Sequence, residues 1–168
     1  GTCLEYGFQN GELNEKLKTN PIVPYAIAKN ELRKKIVKLK KRLNFKFSWM
    51  RFFYIYGKES NSKLYNDLNL SIKKTLKYFK MSKGDQIRDF IDIKNLSKNI
   101  ALVIASNKSL DVINICSGKP KKIKYLVNKW ILEKNSSIQP KYGYYDYVEY
   151  EPKEFWGSTI KYKEKITK

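Results

Sequence analysis

The 168 residues carry 35 Lys and Arg against 16 Asp and Glu, a formal net charge of +19, and no histidine. Apolar residues make up 42%, enough to bury the core of one medium domain or parts of two, so global disorder is excluded. With no histidine, and with Cys3 and Cys116 far apart in sequence, the chain offers neither a zinc-type ligand set nor a disulfide framework.

The predicted elements follow from apolar spacing. Pro24 suits the first turn of a helix, where its missing N–H costs nothing. That helix is predicted over Pro24 to Arg42, with Ile27, Leu32, Ile36, Val37 and Leu43 as its apolar stripe. Phe45 to Ile55 is β-prone and aromatic, ends before Gly57, and reads as one buried strand. Ser62 to about Lys77 reads as a helix, with Leu64, Leu68, Ile72 and Leu76 four residues apart. Phe79 to Ile91 holds a turn at Lys83-Gly84-Asp85 between two short strands. A helix over Asn95 to Ser106, a strand over Asp111 to Cys116 and a helix over Lys121 to Lys134 follow. The tail from Gln139 is tyrosine-rich and carries no readable period. Neither an internal repeat nor a linker divides the chain, and the pattern is mixed α/β.

The charge invites a nucleic-acid reading, and a basic nucleic-acid-binding module is the alternative from a different functional class. Only 4 of the 35 basic residues are arginine, the residue suited to bidentate phosphate recognition, and the lysines are spread along the whole chain. The densest run, Arg33 to Arg42, interleaves Ile36, Val37 and Leu39 with cations and reads as a solvated helix face. No nucleic-acid partner is expected. No apolar run approaches the ~18 residues of a membrane span and no signal peptide is evident, so no membrane partner and a cytoplasmic location are expected.

Tyr25 and Lys29 stand four apart on the first predicted helix, which puts a phenol and an ammonium on one face. A cation beside a phenol favours the phenolate, so such a pair can exchange a proton with a substrate hydroxyl near neutral pH. Four further blocks flank this pair. Gly1-Thr2-Cys3-Leu4-Glu5-Tyr6-Gly7 precedes it. Trp49-Met50-Arg51-Phe52-Phe53-Tyr54-Ile55-Tyr56-Gly57, Gly84-Asp85-Gln86-Ile87-Arg88-Asp89-Phe90-Ile91 and Val112-Ile113-Asn114-Ile115-Cys116-Ser117-Gly118 follow. In this order and spacing the blocks resemble the extended short-chain dehydrogenase/reductase family, the NAD-dependent epimerases and dehydratases of nucleotide sugars. The resemblance covers nearly the whole chain and weakens beyond Gly118.

The resemblance implies an α/β fold: part of a Rossmann-type, doubly wound parallel sheet with a smaller α/β substrate-binding lobe. Residues 1–57 would be the later portion of the NAD(P)-binding domain, carrying a Thr/Tyr/Lys catalytic set. Residues 58–168 would be mainly the nucleotide-sugar lobe, with some elements returning to the sheet. The cofactor would be NAD or NADP, and the small-molecule partner a nucleotide-diphosphate sugar. Thr2 would hydrogen-bond the reacting sugar oxygen, Tyr25 would be the general acid/base, and Lys29 would hold the phenolate and touch the nicotinamide ribose. Arg88 would clamp the substrate diphosphate. Tyr54 replaces the asparagine common in relatives and would line the pocket as an aromatic. Asp89, Phe90 and Asn114 are expected to be structural, as are Tyr142, Tyr144, Tyr145 and Tyr147. No metal is implied.

The departures narrow the reading. No G-x-x-G-x-x-G turn for the cofactor pyrophosphate occurs in these residues. The expectation is therefore a C-terminal part of an enzyme, inert alone or needing a separate N-terminal half, with that half or a second copy in a homodimer as the protein partner. Cys3 and Leu4 fill the places where the family's dehydratases resemble T-D-E, and leucine cannot shuttle a proton, so 4,6-dehydration is disfavoured. Leu4 also fills the place of the cysteine found in GDP-fucose synthases, which use a histidine as well, so that double-epimerisation chemistry is disfavoured too. A 4-epimerase or a 4-keto-sugar reductase remains.

Overall fold

The computed structural model describes residues 1–147 and 151–167. Its hub is the segment Ser48–Tyr56. β2 (Ser48–Phe52) pairs in parallel with β6 (Asp111–Ile115), and Thr2 forms a parallel bridge to Phe52 at its end. One residue later the same segment continues as β3 (Tyr54–Tyr56), which pairs in parallel with β5 (Ile87–Asp92). The single strand expected over Phe45 to Ile55 is thus two. Phe53 is the joint, its N–H still bonded to the Ile115 carbonyl while the chain beyond it turns to a different partner. β5 adds β7 (Pro120–Lys122) antiparallel. Two small parallel pairs complete the strands: β1 (Gly11–Leu13) with β9 (Phe155–Gly157), and β4 (Tyr78–Lys80) with β8 (Gln139–Lys141). β6 lies beyond residue 57 yet pairs with β2, so elements from the later part of the chain return to the first sheet.

The α-helices close two of the three apolar clusters. α3 (Ile93–Ala105) is capped by the Asp92 side chain and packs Leu96 and Val103 against Ile113 and Ile115 of β6. Tyr162 of α5 (Ile160–Ile166) joins the same cluster. α2 (Lys63–Lys73), capped by Ser62, and α4 (Ile123–Glu133) enclose Leu68, Phe79, Val127 and Trp130. α2 ends before the expected Lys77. Thr75 takes a left-handed conformation (φ 51°), and the chain straightens to enter β4.

α1 (Pro24–Leu43) starts on Pro24 and stops where Asn44 turns left-handed (φ 47°), with Lys40, Lys41 and Arg42 in the last turn, where the helix dipole favours cations. Its expected apolar stripe is not its buried face. Ile27, Leu32 and Leu43 are exposed, and the fully buried positions are the small Ala26 and the polar Asn30. The helix lies close to the 3-10 turn Cys3–Tyr6, and close approach selects a small side chain over a bulky apolar one.

Candidate active site

The turn that carries Thr2 is locked before any ligand is considered. Thr2 caps the 3-10 turn Cys3–Tyr6: its Oγ1 accepts the Leu4 N–H at 3.3 Å, and its own N–H donates to Glu5 Oε1 at 2.9 Å, a reciprocal capping box. Gly7 ends the turn with φ 74°, and a Cβ there would collide with the Asn20 carbonyl oxygen, so glycine is required. Tyr6 beneath the turn is fully buried. Its hydroxyl donates to Asn114 Oδ1 at 2.8 Å, the Arg51 guanidinium lies 4.5 Å from its ring centroid, and burial pushes its phenol up to about 12. Asn114 donates in turn to the Leu13 carbonyl, tying β6 to β1.

α1 packs on this turn with its N-terminal end. Tyr25 projects outward, 56% exposed, and the Lys29 ammonium lies 5.7 Å from its ring centroid. Lys29 is half-buried, and among the described residues neither its ammonium nor the Tyr25 hydroxyl has a hydrogen-bonding protein partner. Tyr25 and Lys29 thus lie side by side on the helix that packs against the turn capped by Thr2.

Tyr54 and Arg88 form a second group behind Cys3. Tyr54 stacks on Phe90 (centroids 5.2 Å, 26° between planes) and contacts Phe155, and burial raises its phenol. Arg88 is 1% exposed. Nη1 donates to the carbonyls of Ile87 (2.9 Å) and Lys153 (3.1 Å), Nη2 binds Glu151 Oε2 at 3.0 Å, and the guanidinium lies 4.5 Å from the Phe155 ring centroid. Its donors are engaged by protein acceptors instead of being presented to solvent. Asp89 beside it is fully buried and accepts the N–H groups of Ser117 and Gly118 and the Ser117 hydroxyl, which pins the turn after β6. Cys3 is 4% exposed, and burial pushes its thiol up to about 12, so it stays protonated and cannot serve as a base near neutral pH.

Residues 1–116 match the NAD dependent epimerase/dehydratase family. The chain belongs to that family. A dTDP-6-deoxy-L-talose 4-dehydrogenase (NAD(+)) from Aggregatibacter actinomycetemcomitans is 35% identical over 162 residues, covering 94% of this chain and 59% of the relative. The UDP-glucuronic acid 4-epimerase of Bacillus cereus in complex with NAD superposes with a TM-score of 0.85 at 19% identity, over 99% of this chain and 53% of the epimerase. A UDP-N-acetylglucosamine 4-epimerase from Methanobrevibacter ruminantium M1, in complex with UDP-N-acetylmuramic acid, gives 0.84 at 24% over 100% and 55%. RMD from Pseudomonas aeruginosa, complexed with NADPH, gives 0.84 at 16% over 99% and 58%. The fold is thus the Rossmann-type α/β fold of these epimerases, and the chain spans between half and three fifths of the length of the relatives it matches.

Within this family fold, three functional features escape a reading of the sequence. The first is Glu5, fully buried among partners from three elements. Its signal was present as the T-x-x-E capping-box spacing of Thr2 and Glu5. The second is Glu151, which holds Arg88 across 63 positions of sequence and leaves no local trace. The third is the closure of the Arg88 fork on backbone carbonyls. Among the described residues no cluster of metal-ligating side chains occurs, and no helix is long and apolar enough to cross a membrane. Tyr142, Tyr144, Tyr145 and Tyr147 lie on the outside of the tail, with Tyr142 bonded to Asn128 and Tyr144 to Lys80.

Proposed function

We propose that these residues form the catalytic and sugar-binding part of an NAD(P)-dependent oxidoreductase that interconverts a hydroxyl and a ketone at C4 of a nucleotide-linked 6-deoxyhexose. The observation that carries this reading is the composition of the Thr2 turn beside α1. The Thr2 hydroxyl belongs to the turn against which α1 packs, and α1 carries the Tyr25 phenol beside the Lys29 ammonium, while the positions after Thr2 hold a buried, protonated thiol and a leucine. Such a set moves one proton at one oxygen. It has no second acid/base pair for elimination across the neighbouring carbons. The 35% identity to a dTDP-6-deoxy-L-talose 4-dehydrogenase supports the same class of substrate and reaction.

In the oxidising direction Thr2 Oγ1 holds the C4 oxygen, the Tyr25 phenolate takes the hydroxyl proton, and Lys29 stabilises the phenolate and binds the cofactor ribose. The nicotinamide supplies the hydride acceptor or donor when bound. Tyr54 and Phe90 line the sugar-nucleotide side as an aromatic wall. Arg88 reaches the diphosphate when a phosphate oxygen takes the place of the Glu151 carboxylate. The glycine-rich pyrophosphate turn comes from further sequence or from a separate chain.

The test uses the full-length enzyme with a dTDP-6-deoxyhexose and NAD, followed at the absorbance of NADH. Stoichiometric NADH is expected, and Tyr25→Phe should slow it by ~10²–10⁴-fold with the fold retained. Formation of the C4 epimer without net NADH would move the assignment to a 4-epimerase. Turnover of Tyr25→Phe within a few-fold of wild type would remove Tyr25 from catalysis.

A further inference from the structure

Glu5 has no part in the reaction as written, yet its carboxylate is held by three N–H groups and faced by two arginines. It is completely inaccessible to solvent. Its carboxylate accepts the Thr2 N–H at 2.9 Å, the Trp49 indole N–H at 3.0 and 3.1 Å, and the Arg51 Nε–H at 3.0 Å; Arg33 Nε lies 3.8 Å away. Arg33 is also held to its own helix, donating from Nε (3.3 Å) and Nη2 (2.9 Å) to Oδ1 of the buried Asn30. The hydrogen-bond donors thus come from the Thr2 turn and β2, and α1 adds the Arg33 cation as an ion-pair partner.

A buried ion pair is a poor device for stability, because desolvating the charges consumes most of what their attraction returns. Well-packed apolar side chains in place of both Glu5 and Arg51 would fill the same space at no loss of stability. What the carboxylate supplies instead is direction. Each hydrogen bond constrains distance and angle, and three N–H groups converge on one carboxylate, with Arg33 as a further ion-pair partner. Arg33 is the fourth residue after Lys29, and Lys29 the fourth after Tyr25, so Tyr25, Lys29 and Arg33 run along one side of α1. The carboxylate that holds the Thr2 backbone is therefore the group that faces the far end of the Tyr25–Lys29 row.

We propose that Glu5 is a positioning residue, clamping the Thr2 turn to α1 and so setting the Thr2 hydroxyl against the Tyr25 phenol. This rests on the reaction proposed above. Proton transfer between a sugar oxygen and Tyr25 requires both groups on the same oxygen at hydrogen-bond distance, and a displacement of about 1 Å can cost ~10²-fold. Glu5 acts through Thr2 and touches no reactant, so its effect should vanish when Thr2 has no hydroxyl to place.

The experiment is a mutant cycle in the full-length enzyme, reading single-turnover NADH formation at saturating sugar together with the affinities for sugar nucleotide and NAD. Glu5→Gln and Arg33→Met are each expected to slow the transfer by about 10–100-fold, with both affinities within about twofold of wild type. On a Thr2→Ala background the same changes should add less than about twofold. Losses that multiply in full with Thr2→Ala, or that fall on affinity instead of rate, would overturn the positioning role. Should Glu5→Gln fail to fold, Arg33→Met completes the cycle alone. Its side chain is 18% exposed, and its removal leaves Glu5 paired with Arg51. Failure of the underlying reaction shows separately: Thr2→Ala and Tyr25→Phe would then leave turnover unchanged, which removes the positioning role with it.

Discussion

Arg88 shows how a single residue can be legible in type and illegible in state. The G-D-Q-I-R-D-F block marks it as functional, and a guanidinium is the right group for a diphosphate. Its partners, however, are the Glu151 carboxylate and the Lys153 carbonyl, 63 and 65 positions away, and no local pattern announces them. The placement of Tyr25 beside Lys29 on one helix was legible because a helix fixes i, i+4 neighbours. Two consequences of the Arg88 contacts are measurable. Arg88→Ala strands two carbonyl acceptors and leaves the partly exposed Glu151 unpaired, and should lower unfolding stability by ~1–3 kcal/mol in urea titration. A loss below about 1 kcal/mol would show the network to be slack. Glu151→Gln removes the carboxylate that competes with phosphate for the guanidinium. It should leave the fold standing and tighten nucleotide-sugar binding in the full-length enzyme, whereas unchanged or weaker affinity would detach Arg88 from the diphosphate.

Among the elements, helices were read within a few residues of their ends, since their signal is carried by local spacing. Of the short strands, β4 and β5 were read on either side of the turn at Lys83-Gly84-Asp85, whereas β1, β8 and β9 were not. β1 pairs with β9 across more than 140 positions and β8 with β4 across about 60, so these segments do not themselves contain the information that makes them strands. That is why the tail from Gln139 had no readable element, although it supplies β8, β9 and α5. α1 presents the opposite case, a correct helix whose apolar face points the wrong way. Leu32, Leu39 and Leu43 are 46%, 43% and 64% exposed, one to two turns apart along the helix. An exposed apolar row of this kind on a lysine-rich helix is expected to associate with another apolar surface. The 168-residue chain should therefore self-associate in light scattering, and Leu39→Glu with Leu43→Glu should shift it toward monomer. Association unchanged by the double substitution would place the contact elsewhere.

At the scale of the whole molecule, the positive charge is distributed over helix faces and strand ends, with individual lysines paired locally to Asp67, Asp85, Asp111 and Glu133. No stripe of arginines emerges: Arg51 and Arg88 are buried and Arg33 is bound to Asn30. The fold class was legible because five motif blocks occur in order, each tied to a turn or strand end that the fold requires. Under the proposed reaction these residues would build only part of a cofactor site, with Lys29 and Tyr25 offering two polar groups at the ribose and nicotinamide end. The largest electrostatic demand of a dinucleotide is its pyrophosphate, normally met by backbone N–H groups of a glycine-rich turn at a helix N-terminus. No such turn occurs in the sequence, and two polar groups without it fall far short of what ordering a dinucleotide costs. Titration calorimetry of the 168-residue chain with NAD should therefore show no saturable binding at submillimolar concentration. The same titration of a full-length enzyme should show it, and Lys29→Met should weaken it. Micromolar NAD binding by the 168 residues alone would mean that they contain a pyrophosphate site built without the glycine turn.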